Sequence, residues 1–93
     1  MHGKKPLAVA SGGRRDIVIK TLTILGICEK FDAIIGAEDY VNGKPAPDPF
    51  LEAARRIGVA PERCLAFEDT LLGIESAASA GMKTVLVPDP RLP

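Results

Sequence analysis

The sequence predicts an α/β domain, a parallel sheet flanked by helices, and three observations carry that expectation. Four short apolar runs alternate with longer stretches of helical period. Each helical stretch stops at a glycine, at Gly26, Gly58 and Gly81. Aromatic residues make up only 4% of the chain and Trp is absent, while Ala, Ile, Leu, Val and Gly abound. That composition suits strands buried on both faces better than a surface for stacking bases. With 93 residues the chain makes one small domain, which buries only roughly 60–65% of its unfolded surface and is marginally stable.

The first strand is Leu7-Ala8-Val9-Ala10, closed by Ser11-Gly12-Gly13. From Arg14 to about Leu25, the residues Ile17, Val18, Leu22 and Leu25 share one broad helical face, which predicts a helix ending at Gly26. Asp32-Ala33-Ile34-Ile35-Gly36 reads as the second strand, and a polar loop then runs to Gly43-Lys44-Pro45-Ala46-Pro47. Asp48 offers an N-cap carboxylate, with Pro49 as the first helical residue, a position that tolerates a missing N–H. In the helix that follows, Phe50, Ala53, Ala54 and Ile57 form the i, i+3, i+4, i+7 stripe, and Glu52, Arg55 and Arg56 take the wet side. Cys64-Leu65-Ala66-Phe67 is the third strand and runs into Glu68-Asp69-Thr70. A helix from about Leu71 to Ala80 carries Ala77, Ala78 and Ala80, small enough for close approach to a sheet. Thr84-Val85-Leu86-Val87 is the fourth strand, stopped by Pro88 and Pro90. Alternation of this kind predicts parallel strands joined by right-handed crossovers. The prolines of residues 45–49 fit a loop within one domain better than a linker.

Charge narrows the partners. Twelve Lys+Arg balance twelve Asp+Glu, and no basic patch of the kind nucleic acid or an anionic membrane selects is evident, so neither is expected as a partner. No apolar stretch reaches the ~20 residues that cross a bilayer, and no signal-peptide core follows the first six residues. A cytoplasmic location is therefore expected. His2 is the only histidine, and Cys28 and Cys64 form no CxxC pair. No zinc site follows from that inventory, and both cysteines read as small core residues rather than redox groups.

Ligands of parallel α/β sheets bind beyond the carboxyl ends of the strands, where four candidates lie: Ser11, Lys44, Glu68 and Asp69. Ser11 with Gly12 and Gly13 makes a strand-to-helix turn with a hydroxyl and free amides at the positive end of a helix, a geometry that binds anions; a plain serine N-cap is the alternative. Lys44, between Gly43 and Pro45, can offer a point charge to a phosphoryl group or stand as a solvated loop lysine. Glu68 and Asp69, two carboxylates ending an apolar strand, suit Mg²⁺, which takes few protein ligands and keeps several waters. The alternative is that Asp69 or Thr70 caps the next helix.

In order, Val9-Ala10-Ser11-Gly12, Gly43-Lys44-Pro45-Ala46-Pro47-Asp48-Pro49-Phe50, and Phe67-Glu68-Asp69-Thr70 with Gly73-Ile74 and Ala80-Gly81-Met82 resemble motifs two, three and four of the haloacid dehalogenase-like hydrolase superfamily. The wording of the second and third segments is similar to the β-phosphoglucomutase and sugar-phosphate phosphatase branch. The resemblance runs from Lys5 to Pro88. It implies a Rossmann-like sheet and Mg²⁺-dependent phosphoryl transfer on a small phosphorylated metabolite, such as a sugar phosphate, through an aspartyl-phosphate. On that resemblance Ser11 and the Gly12 N–H would hold phosphoryl oxygens, and Lys44 would be both phosphate-binding and catalytic. Asp69 would bind the metal, with Glu68 as a second ligand or its support. Arg14 and Arg15 follow the phosphate turn and either touch substrate or form a solvated face.

The family's first motif, an Asp-x-Asp that supplies the nucleophile, has no match at Asp16, Asp32, Asp39, Asp48, Asp69 or Asp89. Residues 1–93 are therefore expected to be the C-terminal portion of such a core domain, without the cap domain, with Met1 an internal methionine. The absent first strand would lie between the strands ending at Ala10 and Phe67. Its loss predicts an incomplete sheet with open edges, which invites self-association or completion by another chain. Two alternative functions stand beside the phosphatase: a non-catalytic module that binds phosphate or a partner, and a phosphomutase of the β-phosphoglucomutase type.

Overall fold

Strand pairing fixes the architecture. The computed structural model describes residues 5–87, in the order β1 (Ala8–Ala10), α1 (Arg15–Ile24), β2 (Ala33–Ile35), α2 (Asp48–Ile57), β3 (Leu65–Glu68), α3 (Leu71–Ser79) and β4 (Lys83–Leu86). Single 3₁₀ turns at Cys28–Lys30, Ala37–Asp39 and Pro61–Arg63 punctuate the connections. Every expected strand and helix is present, with ends displaced by a residue or two. The reading of Met1 and the stops at Pro88 and Pro90 lie outside the described residues.

β1 pairs parallel with β2, Val9 opposite Ile34, and β3 pairs parallel with β4, Phe67 opposite Val85. Among the described residues these remain two separate two-stranded sheets, the interrupted sheet that the sequence predicts. The unpaired edges can be named. The Ala33 amide donates to Leu7 O and the Ser11 amide to Ile35 O, so alternate residues of β1 face β2 and the backbone of Ala8 and Ala10 faces away. The Lys83 amide donates to Cys64 O and the Val87 amide to Glu68 O. By the same alternation Leu65 and Phe67 face the open edge of β3.

One core ties the halves. Phe50 and Ala54 of α2 pack with Ala66 of β3, Ala77 of α3, and Ala80 and Met82, with Ala10 of β1 and Cys64 against them. Of the predicted stripe of α2, Phe50, Ala53 and Ala54 are buried and Ile57 at its end is half-buried, and Gly58, at φ 71°, closes the helix. Cys64 behaves as a core residue, its thiol pushed above the ordinary range by burial and then by the Glu62 charge.

Two local expectations are corrected. Asp48 is the first helical residue rather than the N-cap, a position that falls to Pro47. Its carboxylate turns back to accept the Asn42 amide at 3.1 Å, which closes the preceding loop instead of the helix. In α1, Val18 and Leu22 are half-buried, but Ile17 and Leu25 are 54% and 64% exposed and no residue of the helix is buried. Its sheet contact is with β2, too narrow to cover the whole apolar face.

Candidate functional site

The acidic end of β3 is the most closely held part of the site. Glu68 accepts a hydrogen bond from Lys44 Nζ on Oε2 at 2.6 Å, and the two side chains are only 11% and 23% exposed. The Lys44 ammonium also lies 5.2 Å from the centroid of the buried Phe50 ring, a cation–π distance. The loop that presents it is anchored: the Ala46 amide donates to Gly43 O, and the fully buried Ser76 hydroxyl donates to Ala46 O at 2.6 Å. Lys44 is therefore not a free solvated lysine.

Thr70 decides what the neighbouring carboxylate is for. Its Oγ1 accepts the Gly73 amide at 3.0 Å and so caps α3. Asp69 is left exposed, with no hydrogen bond among the described residues. A shallow concavity of about 250 Å³ beside it is lined by Phe67, Glu68, Asp69 and Val87. The described residues contain no cluster of three or more metal-ligating side chains. The donor set is nonetheless compatible with a hydrated Mg²⁺, which needs only one or two carboxylates: Asp69 is exposed, whereas Glu68 is engaged by Lys44.

The Ser11 turn is built from backbone bonds. Ser11 Oγ accepts the Gly13 amide at 3.0 Å, which is an ST-turn and not a helix cap. The N-cap of α1 is Arg14 without a side-chain bond, and Glu38 Oε1 accepts the Arg15 amide at 2.8 Å in its place. The serine-cap alternative is thereby corrected. The Ala37 amide donates to Gly13 O, and Gly36 comes so close that an added Cβ would overlap the Arg15 backbone. Tyr40 Oη donates to Ser11 O at 2.9 Å. In a planar trans peptide the carbonyl and the next amide point in opposite directions, so this bond orients the Gly12 N–H. The Gly12 amide makes no hydrogen bond among the described residues. Arg14 pairs with exposed Asp16, and Arg15 Nε donates to Ile34 O; both fit a structural or solvated role.

Lys44 and Glu68 are thus brought into contact, with Asp69 next to Glu68 in the chain, whereas Ser11 is tied through Tyr40 to the loop that carries Lys44. Sequence reasoning missed Tyr40, whose only signal is being the single tyrosine of the chain, just before the Gly43-Lys44 segment. It also gave Gly73 no role, although a glycine within a helix calls for a reason.

The family model for the haloacid dehalogenase-like hydrolases matches residues 2–87. A fructose-1-phosphate phosphatase of Escherichia coli is 44% identical over 84 residues, covering 90% of this chain and 45% of that protein. A probable pseudouridine-5'-phosphatase of Drosophila melanogaster is 46% identical, covering 99% of this chain and 43% of the other. Among solved structures, a β-phosphoglucomutase from Clostridium difficile superposes with a TM-score of 0.84 at 36% identity, over 90% of this chain and 37% of its own. The chain spans less than half the length of these relatives.

Proposed function

This chain belongs to the haloacid dehalogenase-like hydrolase family, and we propose that it forms the phosphate- and metal-holding part of a phosphoryl-transfer site for a small phosphorylated metabolite, a sugar phosphate foremost. The Lys44–Glu68 ion pair at 2.6 Å beside an unengaged Asp69 carries this reading. A fixed positive charge and an acid free for a cation, both at the carboxyl end of a parallel strand, support a phosphoryl-transfer site there. The names of the relatives, phosphatases and a phosphomutase, support the same chemistry.

In this reading Lys44 draws the phosphoryl charge, while the Ser11 hydroxyl and the Gly12 amide hydrogen-bond its oxygens. Asp69, with Glu68 in support, would hold Mg²⁺, which when bound neutralises charge on the phosphoryl oxygens. None of the six aspartates here stands in an Asp-x-Asp, so this reading places the nucleophile that would form the aspartyl-phosphate on none of these 93 residues. Binding, rather than turnover, is therefore the readout for this chain.

Isothermal titration of the 93-residue chain with inorganic phosphate and with fructose 1-phosphate, with and without Mg²⁺, tests the proposal. Affinity that depends on Mg²⁺ is expected, weakened at least about tenfold in Lys44→Met and indifferent to Mg²⁺ in Asp69→Ala. A folded chain that binds neither probe overturns the reading. Hydrolysis of fructose 1-phosphate by this chain alone would overturn the placement of the nucleophile.

A further inference from the structure

Gly73 sits third in α3, after the capping Thr70, and it is buried. Glycine is a poor helix former because it has the most backbone freedom to lose, and at this position of a helix Glu or Gln is favoured, reaching back to the cap. Backbone conformation does not explain the choice, since Gly73 is not among the residues of positive φ. Space does. A Cβ added at Gly73 would overlap the Glu68 carboxyl group and stand 2.7 Å from its Cγ. Glu68, two residues ahead of the cap, fills the place a side chain on the helix would take.

We propose that Gly73 is a positioning residue for the Lys44–Glu68 pair: its missing side chain is the seat in which the Glu68 carboxyl rests while it meets Lys44. Three contacts define that seat. Lys44 Nζ donates to Oε2 at 2.6 Å. The Thr70 hydroxyl, which accepts the Gly73 amide, donates to Oε1 at the long distance of 3.5 Å. The Gly73 backbone closes the remaining side. The carboxylate also lies at the amino end of α3, where a negative charge is favoured. A methyl group at residue 73 is accommodated most cheaply by swinging the Glu68 carboxyl away, because a side chain moves more easily than a helix. The fold then survives and the ion pair does not.

Gly73→Ala and Glu68→Ala, singly and combined, test this. NMR of the wild-type chain should show a cross-relaxation contact between the Lys44 ε-methylene and the Glu68 γ-methylene, and Gly73→Ala should lose it. In the Glu68→Ala background, Gly73→Ala becomes an ordinary helical Gly→Ala change and raises the melting temperature by about 2–8 °C. With Glu68 present that gain shrinks or reverses. A merely structural role for Gly73 predicts the same thermal shift in both backgrounds. That result, or a retained Lys44–Glu68 contact in Gly73→Ala, overturns the proposal. If Gly73→Ala fails to fold, folding of the double variant supports the seat and failure of both overturns it.

A consequence for phosphate rests on the function proposed above: Gly73→Ala should weaken inorganic phosphate binding in Mg²⁺ by about tenfold. If the wild-type chain binds no phosphate, that reading fails while the NMR contact and the melting comparison still decide the role of Gly73.

Discussion

The two half-sheets are covered differently, and the site does not follow the cover. β1 and β2 lie against α2, β2 also meets α1, and Ile35 is fully buried. β3 and β4 have α3 on one side only, and on the other Leu65 and Phe67 are 54% and 63% exposed. Yet the barer half holds its site residues more firmly. Glu68 is gripped by Lys44, Thr70 and the Gly73 backbone, whereas the Ser11 turn depends on backbone bonds and one tyrosine hydroxyl. Placement comes from the connection between β2 and α2, which reaches both halves: Tyr40 to Ser11, Lys44 to Glu68 and Ala46 to Ser76. A parallel α/β sheet supplies strand ends, and the loop joining them decides which ends share a site.

The largest effect should come from breaking what the halves share. Phe50 is buried in the common core and lies under Lys44, so Phe50→Ala should destabilise the chain by about 3–5 kcal/mol. Against the total stability of a small domain, about 5–15 kcal/mol, that is a large fraction. Urea unfolding followed by circular dichroism should show a single transition in the wild type and a much lower midpoint in the variant. Two separate transitions in the wild type would mean that the halves fold independently and that α2 does not unite them.

Next comes the link to the second half. Lys44→Met keeps the stem over Phe50 but leaves the Glu68 carboxylate, 11% exposed, without its cation, at a cost of about 1–3 kcal/mol. An unfolding midpoint within about 0.5 kcal/mol of the wild type would show a pair that behaves like a surface salt bridge. The link to the first half is weaker. Tyr40→Phe removes one hydrogen bond and should cost about 1 kcal/mol, and it should shift the Gly12 amide resonance, since that amide shares its peptide with Ser11 O. Burial raises the Tyr40 hydroxyl above its usual range, so it stays protonated and donating at neutral pH. The stability it contributes is present below its ordinary value near 10 and is lost as pH climbs through the raised one. An unmoved Gly12 resonance would detach Tyr40 from the turn.

Periodicity made the strands and helices legible because apolar spacing and glycine stops act locally: the stripe of Phe50, Ala53 and Ala54 and the stop at Gly58 needed no knowledge of the rest of the chain. The exposed Ile17 and Leu25 show the limit, since a face is buried only if something wide enough lies opposite it. In the site, Lys44, Glu68 and Asp69 were readable as residue types at strand ends, but their division of labour was not. That Glu68 is engaged and Asp69 free depends on a contact across 24 residues of chain and on Thr70 taking the cap. Tyr40 was illegible for the same reason, and Gly73 was legible as part of a motif but not in what it does: one acts through a single long-range hydrogen bond and the other through the space it leaves empty.

The smallest effect should separate the two halves most sharply. Phe67 lies on the uncovered face of β3, 63% exposed, one residue from the buried Ala66. Phe67→Ala therefore removes little packed surface and should cost less than about 1 kcal/mol, against several for the same substitution at Phe50. The comparison holds residue type and protein constant, so the difference measures cover alone. A cost at Phe67 close to that at Phe50 would mean that the face is covered in solution. Cover by another copy of the chain would then reveal itself by mass action: wild-type stability would fall on dilution, and the Phe67→Ala variant would lose that dependence.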